Sequence, residues 1–190
     1  MRQSIVFAVL AALPLAGCYQ GVPDPALSSR DAEWLKASPE GEIHPIDRRY
    51  LVDDKTGEKP GTIVVETKRR ELYLVLPNRK AVRYAVAVGE EAFGWTGTAY
   101  IARKAEWPNW NPPPEMKKRW PHVQYVSGGP RNPMGARALT LNRGEYAIHG
   151  TNRPGSIGTY ASYGCIRMHN HDIVDLYDRV RVGTPVVVVR

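Results

Sequence analysis

From residue 62 onward the chain falls into short runs of aliphatic and β-branched residues. The runs 62–67, 71–76 and 82–88 are broken by Lys68-Arg69-Arg70 and Pro77-Asn78-Arg79. Such side chains fit a pleated surface and the polar breaks supply turns, so three successive strands are predicted. In the second run Leu72, Leu74 and Leu76 share one face while Tyr73 and Val75 share the other, which predicts burial on both sides. Further strands are predicted at 97–104, 138–142, 146–149 and 185–189. Strong helical spacing occurs only near the end, where Ile173, Leu176, Tyr177 and Val180 recur. Asn170 can cap that helix, Asp172 suits its first turn and Gly183 follows its last. The expected fold class is mainly β, a sandwich or barrel with one or two short helices.

Two stretches lack this periodicity. Residues 21–45 mix prolines, serines and charges around a short possible helix at 30–37, and read as a tether. Between Glu106 and Met134, Trp107, Trp110 and Trp120 lie among seven prolines, a density that excludes long regular elements. A long Trp/Pro-rich loop of this kind is either a binding lid, with Trp110 as a candidate substrate contact, or a segment pinned to the core by its rings.

The first residues follow a third pattern. Met1-Arg2-Gln3 precedes an apolar run over 5–13, and then comes Leu15-Ala16-Gly17-Cys18. The run is shorter than the about 20 residues a spanning helix needs, and its basic start marks a secretory signal. A cysteine directly after small residues is similar to the lipobox of bacterial lipoproteins, which implies cleavage after Gly17 and lipidation of Cys18. Buried acyl methylenes contribute about 0.8 kcal/mol each, so such a lipid anchors the chain to a membrane leaflet. Tyr19 is not the aspartate of inner-membrane retention, which points to the outer membrane. The expected organisation is 1–17 signal peptide, 18–60 tether and N-terminal extension, and 61–190 a single folded domain.

With 190 residues the chain can close one core. Its 26 Lys and Arg against 19 Asp and Glu give a net charge of +7, or +6 once Arg2 leaves with the signal. A basic surface in the envelope favours peptidoglycan carboxylates and anionic lipids as partners, not nucleic acid. A merely soluble basic surface is the plainer reading.

Cys18 and Cys165 are the two cysteines. If Cys18 carries lipid, no second cysteine remains for a disulfide. A thiol kept in an oxidising compartment is a liability unless its chemistry is used. His149 closes a predicted strand 16 positions before Cys165. A thiol needs a neighbouring base to attack an amide at neutral pH, and an imidazole can take its proton and return it to the departing amine. Gly164 allows a tight turn and close substrate approach. The amides of Gly164 and Cys165 can then face a developing oxyanion, at about 3 to 4 kcal/mol per donor.

His149-Gly150-Thr151, followed by Ser162-x-Gly164-Cys165-Ile166-Arg167-Met168 and then by Asn170, Asp172 and Leu176, resembles the L,D-transpeptidase catalytic domain, the YkuD family. Gly128-Gly129-Pro130, the 132–139 segment and the loop from Trp110 to Met116 resemble its upstream segments, so the likeness covers roughly 61–190. It implies a mostly β domain, a thioester on Cys165, His149 as base, and a backbone carbonyl at Gly150 orienting the imidazole. Many members carry a histidine where this chain has Tyr163, but the base role belongs to the histidine matching His149. Arg167 is read as binding a substrate carboxylate, supporting the oxyanion, or forming a structural ion pair. Tyr163 and Ser162 are candidate substrate contacts.

The family reading implies attack on the bond between the L-centre of diaminopimelate and the terminal D-alanine of a peptidoglycan stem. The acyl group would pass to a stem amine, to a lysine of an envelope protein, or to water, which would make the enzyme a carboxypeptidase. No cofactor and no metal is called for. Cys165, His169 and His171 lie close in sequence but do not show the paired spacing of a zinc site. A non-catalytic peptidoglycan-binding lipoprotein on the same fold is the competing reading.

Overall fold

A computed structural model describes residues 20–89, 94–162 and 164–190. In chain order its strands are β1 (Gln20–Gly21), β2 (Tyr50–Asp53), β3 (Ile63–Glu66), β4 (Glu71–Leu76), β5 (Lys80–Gly89), β6 (Gly97–Glu106), β7 (Arg137–Leu141), β8 (Ala147–His149), β9 (Tyr160–Ser162), β10 (Ile166–Met168) and β11 (Pro185–Val189). The helices are α1 (Ser29–Ala37), α2 (Pro114–Arg119) and α3 (Asn170–Arg179).

The strands pair in the order β5-β10-β8-β7-β6-β11-β3-β4, and β4 returns to β5, closing a barrel. Closure leaves no open edge among these strands. β5 is long enough to serve several neighbours. Residues 80–85 pair with β4, 80–83 also with β2, and Val86 and Ala87 with β10. Ile63, Leu72, Tyr84, Ile101, Leu139, Ile148 and Met168 are fully or almost fully buried in one apolar cluster that also takes Ile173 and Leu176 from α3. The mainly β expectation holds, with three short α-helices among the described residues where one or two were expected.

Residues 21–45, expected as a tether, are docked on the barrel. Ser28 caps α1 by accepting from the Asp31 amide at 3.1 Å, and Leu35 is buried with Trp107, Ala136 and Val174. Asp31, 4% exposed, accepts both Arg137 guanidinium nitrogens at 2.9 and 2.7 Å and the Trp107 indole N–H at 2.7 Å. The Arg137 guanidinium beside Asp31 holds its carboxyl well below the usual carboxylate range. Arg49 is likewise buried and binds Asp172 at 2.8 Å. Each charge taken out of water here has a partner, which a flexible linker would not provide.

The same contacts settle the role of Trp107. It pins the long loop to α1, edge-on to Trp34 with 5.1 Å between ring centroids. We expect Asp31→Ala to lower unfolding free energy by about 3–5 kcal/mol, because it strands the buried Arg137 guanidinium. Urea denaturation checks this, and a loss below about 1 kcal/mol would mean that α1 is only loosely attached.

Candidate active site

β8 and β10 run parallel, with Ile166 opposite Ile148 and Arg167 opposite His149. Side chains alternate along a strand, so the two isoleucines enter the core while His149 and Arg167 leave on the other face. Continuing the register by one residue sets Cys165 beside Ala147, on the face of His149. Strand spacing and rise put the two Cα atoms about 8 Å apart, a gap that thiol and imidazole side chains can bridge. The half-buried thiol lies against the start of β8, with Sγ 3.9 Å from the Glu145 carbonyl. Gly164, at φ 101°, turns the chain into β10 through a region closed to most other residues.

His149 is buried, and its Nδ1 lies 2.6 Å from the Gly150 carbonyl. A carbonyl can only accept, so Nδ1 carries the proton and Nε2 keeps its lone pair. Burial, aided by the charge of Arg167, lowers the imidazole to about 4 against the opposing carbonyls of Gly150 and Met134. Burial pushes the Cys165 thiol up, with Glu145 adding and the Ala147 backbone and Arg167 opposing. At neutral pH both groups are therefore uncharged, a neutral thiol and a neutral imidazole.

Arg167 acts electrostatically on both groups and is half-buried. Among the described residues no carboxylate lies within ion-pair distance of it. A cleft of about 520 Å³ reaches Gly164 and is lined by Lys68, Trp95, Tyr160 and Arg190 among others. Cations and rings together suit a peptide that carries carboxylates.

Of the residues expected at the site, Cys165, His149, Gly164, Gly150 and Arg167 come together. Trp110 does not line the cleft; its backbone pairs with Val126 within the long loop. Tyr163, the side chain of Ser162 and Cys18 lie outside the described residues. His169 faces away into a buried contact with Glu40, with Nδ1 3.0 Å from Oε1. Three contributors were not anticipated from sequence: the Met134 carbonyl, Glu40, and the side-chain amide of Asn170. Asn170 does not cap α3 as expected. The N-cap residue is His169, and the Asn170 amide N–H is held by both Glu40 oxygens at 2.9 and 3.1 Å.

The sequence model of the L,D-transpeptidase catalytic domain (YkuD) matches residues 60–188. A probable L,D-transpeptidase of Escherichia coli (strain K12), ErfK/SrfK, is 37% identical over 137 residues, 67% of this chain and 43% of its own length. The putative L,D-transpeptidase YkuD of Bacillus subtilis (strain 168) is 36% identical over 132 residues, 69% of this chain and 67% of its own. This chain thus spans less than half of the Escherichia coli relative. Among solved structures, L,D-transpeptidase 3 of Mycobacterium tuberculosis shares the fold with a TM-score of 0.55 at 14% identity, over 68% of this chain and 60% of that one. A Brucella melitensis protein, described as a probable carnitine operon oxidoreductase, is 47% identical with a TM-score of 0.52, over 77% of this chain and 96% of that one.

Proposed function

The chain belongs to the L,D-transpeptidase catalytic-domain family (YkuD), and from that premise we propose that it transfers acyl groups between peptidoglycan stems, with Cys165 as nucleophile and His149 as base. The observation that carries the reading is the register of β8 and β10, which gives one face to His149, its Nδ1 tied to a carbonyl, and to Cys165.

In this reading Cys165 Sγ attacks the carbonyl joining the L-centre of diaminopimelate to the terminal D-alanine while His149 Nε2 takes the thiol proton. The amides of Gly164 and Cys165 face the oxyanion, and Arg167 binds a stem carboxylate. The imidazolium returns its proton to the D-alanine nitrogen, which leaves, and a thioester remains on Cys165. The amine of a second stem then displaces the sulfur and gives a cross-link between third residues. A lysine of an envelope protein or water are the other acceptors.

Lipidation of Cys18 and an outer-membrane, periplasm-facing site complete the proposal. They rest on the character of the first eighteen residues. No helix among the described residues is long and apolar enough to cross a membrane. Because Gln20 already pairs with Leu51, a lipid on Cys18 would hold the barrel close to the leaflet.

Incubation with purified tetrapeptide muropeptides tests the reaction. D-alanine release together with a cross-linked dimer is the expected result, release alone identifies a carboxypeptidase, and no release removes the reading. Intact-mass measurement after exposure to a carbapenem is expected to find one adduct, on Cys165.

A further inference from the structure

Asn170 is completely buried, yet its side-chain amide is directed at the backbone of the His149 turn and not at its own helix. Its Nδ2 donates to the Thr151 carbonyl at 2.9 Å, and its Oδ1 accepts from the Thr151 N–H at 3.2 Å. The amide thus pairs with Thr151 on both sides, as a neighbouring strand would. Oδ1 also accepts from the Ala136 N–H at 2.9 Å, joining the end of the long loop to the same point.

The Thr151 N–H and the Gly150 carbonyl belong to one peptide group. That group is planar and trans, so its N–H and C=O point in opposite directions. Holding the N–H on Asn170 therefore aims the Gly150 carbonyl away from it, and that carbonyl is the one 2.6 Å from His149 Nδ1. Hydrogen bonds on both ends of a peptide group also polarise one another, which strengthens the carbonyl as an acceptor.

The packing leaves little room for any other arrangement. A Cβ on Gly150 would lie 2.3 Å from Asn170 Oδ1, and one on Gly135 would lie 2.2 Å from the same oxygen and 2.5 Å from the Gly150 carbonyl carbon. Gly135 stands at φ +63°, where a side chain would be strained as well. The Asn170 backbone is fixed in turn by Glu40, from the N-terminal segment docked on the barrel.

We infer that Asn170 is a positioning residue for the acyl transfer proposed above: through the 150–151 peptide group it holds the Gly150 carbonyl on His149 Nδ1, and so keeps the Nε2 lone pair toward the thiol. It does for this site what a buried carboxylate does in a thiol–imidazole–carboxylate arrangement, acting through a backbone carbonyl. The inference rests on His149 serving as the base.

Two readouts test it on the full chain: imidazole nitrogen NMR, which distinguishes the Nδ1–H from the Nε2–H form of His149, and the rate of Cys165 acylation by a carbapenem. The wild type is expected to show the Nδ1–H form alone. Asn170→Ala is expected to show a mixture of the two forms and to acylate about thirtyfold more slowly, part of the roughly 100- to 10,000-fold that a positioned base contributes. Asn170→Asp keeps an oxygen for the Thr151 and Ala136 N–H groups but loses the donor to the Thr151 carbonyl, so it is expected to keep the Nδ1–H form in excess and to acylate at a rate between those of wild type and Asn170→Ala.

An Nε2–H ring in the wild type overturns the inference whatever the variants do. So does an Asn170→Ala protein that keeps the Nδ1–H form, whether its rate is unchanged or falls only in step with its unfolding temperature. If the wild type takes up no carbapenem, the acyl-transfer reading fails separately, and the tautomer measurements still decide whether Asn170 aims the carbonyl.

Discussion

Cys165→Ala is expected to abolish D-alanine release and the carbapenem adduct together, with a fall on the order of a millionfold, as when a nucleophile that works as a unit with its base is removed. The size follows from covalent catalysis. Without sulfur there is no thioester, and what remains is whatever the oxyanion donors and binding alone accomplish. Because the change replaces a thiol by a hydrogen at a half-buried position, unfolding free energy should stay within about 1 kcal/mol of wild type. Thermal unfolding and intact-mass analysis on the same samples separate the two effects. An alanine variant that still formed the adduct would place the nucleophile elsewhere.

Most barrel strands were legible because their residues repeat with the period of a pleat. The predicted 71–76 and 185–189 coincide with β4 and β11, and 97–104 and 138–142 fall within a residue or two of β6 and β7. β10 was not, since three residues inside a catalytic motif carry no period of their own. The candidate chemistry was legible for another reason: a thiol and an imidazole can activate one another with no other residue types present, so two positions were enough to point to a candidate site. Tyr-Leu-Val-Asp of β2 was hidden in the N-terminal extension, just past the 21–45 stretch whose prolines and serines read as a tether. What orders that segment is pairing between distant positions, Asp31 with Arg137, Arg49 with Asp172 and Glu40 with Asn170, each more than a hundred residues apart. Local composition does not carry such pairings. Asn170 shows the same limit: an asparagine beginning a helix ordinarily serves its own amides, and here Glu40 takes that role and frees its amide for the His149 turn.

His149→Gln is expected to slow acylation of Cys165 at neutral pH by roughly 100- to 10,000-fold, and to change the shape of its pH dependence. In the proposed reaction the base works unprotonated, and the His149 imidazole titrates at about 4 because burial and the Arg167 charge disfavour the cation. Wild-type acylation should therefore rise through that point and lie flat from about pH 5 to neutrality. Glutamine cannot take the proton, so the variant depends on the small thiolate fraction, and burial pushes that thiol above its ordinary value. Its rate should climb about tenfold per pH unit through the alkaline range, closing on the wild type as the thiol ionises.

Stability supplies an independent check with a definite sign. The folded imidazole titrates at about 4 and the unfolded one near 6.5, so between these values the unfolded chain binds the extra proton. Acidification through this window should weaken the wild type by roughly 3 kcal/mol from this group. The glutamine variant should lack that part of the acid sensitivity while other groups titrate as before. Equal acid sensitivity in both proteins, or a flat pH–rate profile in the variant with a loss below about threefold, would show that the buried ring is not the base.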